Sequence, residues 1–135
     1  MTDGEFWYVA TPYSKYPGGL HEAFMLAVRV RGGLIRAGIP SFSPIVHSHP
    51  VAMECDMDPH DHEIWLPCEA PIMAAAVGLI VVMADGWQDS YGMGKEIEAF
   101  IATHRPFVHL DPDSPTLPQE LIAWRSTLQS STARS

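Results

Sequence analysis

Between Gly78 and Phe100 the chain changes character abruptly. The apolar run Leu79-Ile80-Val81-Val82-Met83 stops in Ala84-Asp85-Gly86-Trp87-Gln88-Asp89-Ser90-Tyr91-Gly92-Met93-Gly94-Lys95-Glu96. A short apolar run bounded by turn residues reads as an interior strand of a parallel sheet. The loop that leaves it begins a helix, with Ser90 near the start and Glu96 about one turn in. A carboxylate placed there feels the positive end of the helix dipole, which favours the ionised form that a nucleophile or base needs. Gly92 and Gly94 leave the backbone bare, so a ligand can come close and meet N–H groups. On propensity alone Glu96 is better explained as a favourable first-turn acid.

The elements that must position this loop alternate. Phe6 to Ala10 is aromatic and branched and ends at Thr11-Pro12-Tyr13-Ser14, which predicts a strand and a loop. Leu20 to Ala37 carries Phe24, Ala27, Val28, Leu34 and Ile35 near helical spacing and is closed by Gly38. A short strand is expected within Ile39 to Pro44, its prolines confined to the ends. The segment from His47 to Pro59 has no period and reads as an irregular excursion. A helix kinked by Pro67 and Pro71 is expected from His60 or Asp61 to Ala76. A strand at Gly78 to Met83, a helix from Gly92 to Thr103, a strand at Arg105 to Leu110 and a helix from Pro118 to Leu128 complete the pattern. The small, polar segment 129–135 reads as a frayed tail. Strands alternating with helices predict an α/β fold, a Rossmann-like or flavodoxin-like three-layer sandwich with four to five parallel strands, in one domain over residues 1–128. Ligands in such sheets sit beyond the carboxyl ends of the strands.

Composition narrows the function classes. The chain has 135 residues and a formal charge of −8, which argues against a nucleic acid polymer as partner. A mononucleotide remains compatible, because a few local donors hold one phosphate. No apolar run reaches the roughly 20 residues of a membrane span, and no secretory pattern opens the chain, so no membrane partner and a cytoplasmic location are expected. Cys55 and Cys68 form neither a disulfide framework nor a zinc spacing.

Ser90-Tyr91-Gly92-Met93-Gly94-Lys95-Glu96 resembles the Ser/Asp-x-Gly-x-Gly-x-Glu signature of the nucleoside 2-deoxyribosyltransferase superfamily, which includes nucleoside 5′-monophosphate N-glycosidases. Tyr8-Val9-Ala10-Thr11-Pro12-Tyr13-Ser14 resembles its first strand and loop. Ser41 to Pro50 and the Glu63-Ile64-Trp65-Leu66 region look like a poorly characterised branch of it, so the similarity covers residues 6 to 110 in order. The resemblance implies cleavage of an N-glycosidic bond, with Glu96 attacking the anomeric carbon and water or a second base resolving the glycosyl-enzyme, by the logic of retaining glycosidases. It implies Tyr13 as the phenol that orients Glu96, and Ser14, Ser90, Gly92 and Gly94 as the sugar or phosphate cradle. Serine at position 90 favours a 5′-monophosphate over a free nucleoside, whereas Asp89 beside it could take the place of the transferases' aspartate. No cofactor is implied, and a homo-oligomer is, with apolar contact points expected around Trp65 and Phe100.

One departure stands out. Where the transferases place an aspartate before the third strand, this chain reads Ala74-Ala75-Ala76-Val77. A proton for the leaving base must come from elsewhere, and His47, Glu69, Asp85 and Asp89 are candidates, His47 first. Trp87 is placed to stack on a base. Two other readings compete: a nucleotide-binding sensor without turnover, and a metal-dependent hydrolase that uses His47, His49, His60 and His62. Neither histidine segment has the i, i+4 spacing of a metalloprotease, so no metal is assigned.

Overall fold

The computed structural model describes residues 4–134, with side chains as far as residue 127. Four strands, β1 (Trp7–Ala10), β2 (Ser41–Phe42), β3 (Gly78–Val82) and β4 (Phe107–Leu110), form one sheet in the order β2-β1-β3-β4. Every neighbouring pair is parallel, with Tyr8 opposite Leu79 and Ile80 opposite Val108. Five helices surround the sheet: α1 (Leu20–Arg36), α2 (Pro44–Glu54), α3 (His62–Ala75), α4 (Tyr91–Ala102) and α5 (Gln119–Arg134). This is the expected Rossmann-like or flavodoxin-like α/β sandwich, with four strands.

Alternation along the strands builds two cores. Trp7, Val9, Ile80 and Val82 join Leu26, Leu34, Val108 and Leu121 on one face, under α1 and α5. Tyr8, Ala10, Leu79 and Val81 join Met93 and Phe100 of α4 on the other. Successive strand residues point to opposite faces, so a central parallel strand must be apolar throughout, and all five residues of β3 are buried. Gly78 is required where the two layers meet, since a Cβ there would run into the Trp7 ring and lie 2.8 Å from the Pro106 carbonyl oxygen.

Three expectations change. The segment read as an irregular excursion is largely the helix α2: Ser43 Oγ accepts from the Val46 N–H at 3.3 Å and Pro44 takes the first helical position. Phe100, expected at a subunit contact, is fully buried beside Tyr8, their ring centroids 6.4 Å apart. The last helix does not close at Leu128 but runs to Arg134, since no glycine or proline interrupts 129–134; Ser135, the end of the expected tail, lies outside the described residues.

Candidate active site

The chain order reverses between β1 and β3, and such a switch point opens a crevice at the strands' carboxyl ends. A cavity of about 180 Å³ lies there. β1 and its loop supply Tyr8, Thr11, Tyr13, Ser14 and Lys15; α3 supplies His62, Trp65 and Glu69; the start of α4 supplies Ser90, Tyr91, Gly92, Lys95 and Glu96. α2 adds Pro44, Ile45 and Ser48, and the loop before α3 adds Pro59 and His60.

Two carboxyl groups face this cavity from different helices. Ser90 caps α4 by accepting from the Met93 N–H at 3.2 Å, which starts the helix at Tyr91 and places Glu96 beyond its first turn. The dipole has faded at that depth. The ionisation expected of Glu96 is therefore reversed: burial, reinforced by Glu69, pushes its carboxyl well above the usual range. Burial raises Glu69 on α3 to about 7. Two like charges in one desolvated space resist joint ionisation, so each carboxyl favours its protonated form.

Tyr8 was not anticipated as a site residue. It is 1% exposed on β1 yet reaches the cavity wall, and burial first, then Glu96 and Glu69, raise its phenol, which stays protonated as a hydrogen-bond donor. The alternation of β1 carried the clue, since Tyr8 shares its face with Ala10 and not with Trp7 and Val9. Tyr13 lies on the wall as expected, but its hydroxyl is bonded to His49 Nδ1 at 2.6 Å and not to Glu96. Ser14 Oγ is 2.8 Å from His60 Nδ1, which ties the first loop to the segment before α3. Thr11, 4% exposed, lines the cavity with an Oγ1 that has no partner among the described residues.

Of the residues expected at the site, Glu96, Tyr13, Ser14, Ser90 and Gly92 come together on this cavity. Asp89, His47, Trp87 and Gly94 lie off its wall. Asp89 and His47 are exposed, and Ser90, not Asp89, lines the cavity. Trp87 sits in a 3-10 turn, where its ring packs on the α4-side core and meets His109 edge-on at 5.9 Å. Gly86, in the left-handed conformation at φ 88°, lets this turn dock on the Lys15 backbone, where a Cβ would strike the carbonyl oxygen. Asp85 is exposed and also off the wall.

The four histidines weighed as metal ligands contact aromatic and hydroxyl groups: His47 meets Phe42, His49 and His60 both meet Tyr13, His60 also bonds Ser14, and His62 meets Tyr91. No group of three or more metal-ligating side chains gathers among the described residues. None of the described helices is long and apolar enough to cross a membrane.

Residues 5–111 match the family model described as Domain of unknown function (DUF1937). The chain belongs to this family. No curated protein matches it. The DUF1937 match runs from before β1 to the residue after β4, so every cavity residue falls inside it and α5 lies beyond it. The cavity is thus built wholly from the DUF1937 domain.

The charge around the cavity is uneven. Lys15 and Lys95, the only lysines in a chain of net charge −8, both stand on its wall. His60, His62 and Ser14 are exposed wall residues. Cationic and hydroxyl groups suit an anionic ligand group, while Glu69, Glu96 and Tyr8 can move or hold a proton.

Proposed function

We propose that this cavity cleaves the N-glycosidic bond of a nucleoside or nucleoside 5′-monophosphate through a covalent glycosyl-Glu96 intermediate. The observation that carries the reading is the pair of burial-raised carboxyls, Glu96 and Glu69, on one cavity. The signature Ser90-x-Gly92-x-Gly94-x-Glu96 selects Glu96 as the nucleophile. Glu69 then takes the role of the absent aspartate.

Positive charge developing at C1′ beside Glu96 favours its carboxylate, and the proton that Glu96 gives up passes to the Glu69 carboxylate. Glu96 oxygen bonds to C1′ as the C1′–N bond breaks, and the Glu69 proton passes to the departing nitrogen. Water next attacks C1′, gives its proton to Glu69 and releases Glu96; a second base in place of water makes the reaction a transfer. Tyr8, a neutral donor, supports the ionisation of Glu96 that precedes the attack. Lys15, Lys95 and Ser90 favour a substrate that carries a phosphate. A homo-oligomer fits the half-exposed apolar residues Ile64 and Leu66 of α3, 39% and 44% exposed.

The test is base release from a panel of nucleosides and 5′-monophosphates, with and without an added free base. Release is expected from at least one member and is lost in Glu96→Gln, which still binds that member. No release from any member of the panel, or undiminished release in Glu96→Gln, overturns the reading.

A further inference from the structure

His49 on α2 has no part in the reaction above and is buried, 6% exposed. Its ring stacks on Phe24 of α1, with centroids 4.7 Å apart and planes inclined by 21°. Tyr13 meets the same ring edge-on at 5.6 Å. These contacts fix the imidazole plane and aim Nδ1 at the Tyr13 hydroxyl, 2.6 Å away. Tyr13, unlike His49, lies on the cavity wall.

A single proton occupies the line between Oη and Nδ1. Burial pushes the phenol up, and burial together with His21 of α1 pushes the imidazole down, so both groups are neutral. Between neutral partners the phenol is the stronger acid and the imidazole nitrogen the stronger base, so O–H donates to Nδ1. The Tyr13 oxygen then has only lone pairs to offer the cavity. It cannot also donate to Glu96.

We propose that His49 is a positioning residue which makes Tyr13 Oη an obligate hydrogen-bond acceptor, so that the cavity selects ligands presenting a sugar hydroxyl at that point. The proposal rests on the nucleoside reading of the cavity and extends it to the sugar. A ligand with hydrogen in place of the hydroxyl leaves the oxygen without its donor, and one with fluorine sets lone pairs against lone pairs.

Calorimetric binding to Glu96→Gln separates recognition from turnover. The probes are ribonucleoside 5′-monophosphates and their 2′- and 3′-deoxy and fluoro counterparts. At one of the two positions affinity is expected to fall from hydroxyl to hydrogen to fluorine, with about tenfold between the first two. Adding His49→Leu frees the phenol proton to turn inward, so fluorine then binds at least as well as hydrogen. His49→Asn, which offers an amide oxygen near the Nδ1 position, restores the original order. An order that is absent, or unmoved by His49→Leu, overturns the proposal while base release persists; base release absent with the order intact overturns the reaction alone. Failure of every probe to bind overturns both. In the parent protein, 15N NMR is expected to place the His49 proton on Nε2, and a proton on Nδ1 overturns the proposal whatever the ligand.

Discussion

The two faces of the sheet are made by the same strands and do different work. Under α1 and α5, Trp7, Val9, Ile80 and Val82 pack in an apolar layer with Leu26, Leu34, Val108 and Leu121. On the α4 side, Tyr8 and Val81 pack against Met93 and Phe100, but the layer gives way to the cavity where Tyr8, Glu69 and Glu96 meet. One residue along β1 separates a tryptophan of the core from a tyrosine of the cavity wall. The pleat therefore lets a single strand of four residues pack one core with Trp7 and Val9 and present Tyr8 to the cavity on the other face.

The largest effect that tests this division is on the α4 face. Glu96→Gln is expected to lower base release at least about a thousandfold, as loss of a nucleophile does in covalent enzymes. Chemical denaturation is expected to find the variant no less stable, because it removes a carboxyl that burial disfavours in its charged form. A marked loss of stability would mean that Glu96 is a packing residue. On the face under α1 and α5 the pattern inverts. Leu34, 1% exposed on α1, is expected to cost about 2–5 kcal/mol of unfolding free energy on replacement by Ala. Turnover per folded molecule stays unchanged, and a lower kcat in folded Leu34→Ala would couple the faces.

Glu69→Gln sharpens the comparison within the cavity. Base release is expected to drop by about 10²-fold, and its decline above pH about 7, where Glu69 gives up its proton, should vanish. Stability carries the matching sign. A raised carboxyl pKa means that the folded state holds the proton more tightly, so its contribution is intact below pH about 4.5 and is lost as pH rises through about 7. The melting temperature of Glu69→Gln, compared with the parent, should therefore gain between pH 5 and pH 8. An unchanged pH–rate profile would remove Glu69 from the reaction.

The layer order was legible because it is written in local patterns. Burial on both faces makes β3 apolar throughout, and the amphipathic spacing of α1 records a single core-facing side. The place of Ser90 and Glu96 on the cavity was legible through the loop after β3, and that of Tyr13 through the loop after β1. Three things were not. The helix α2 was hidden because its polar and apolar residues do not segregate by face, although Ser43-Pro44 marked its start. The protonation of Glu96 depends on what surrounds the carboxyl in space, including Glu69 from another helix, and local position along α4 pointed the opposite way. Trp87 stood in the right loop but turns to His109 and the core, a direction set by Gly86 docking on the Lys15 backbone.

The smallest expected effect separates two glycines of one helix. Neither Gly92 nor Gly94 has a positive φ, and a Cβ at either would meet nothing within 4 Å. The backbone of α4 therefore needs no glycine at these positions, and each should cost the helix up to about 1 kcal/mol relative to alanine. Gly94→Ala, off the cavity wall, is expected to raise the melting temperature with no change in ligand affinity. Gly92→Ala should bring a similar gain, yet its methyl group enters the space beside Ser90 and should weaken nucleotide binding several-fold. Calorimetry on both variants reads the difference directly. Equal affinities would move the bound ligand away from the start of α4, and with it the reason for the signature's first glycine; unequal ones would assign that glycine to the ligand and not to the helix.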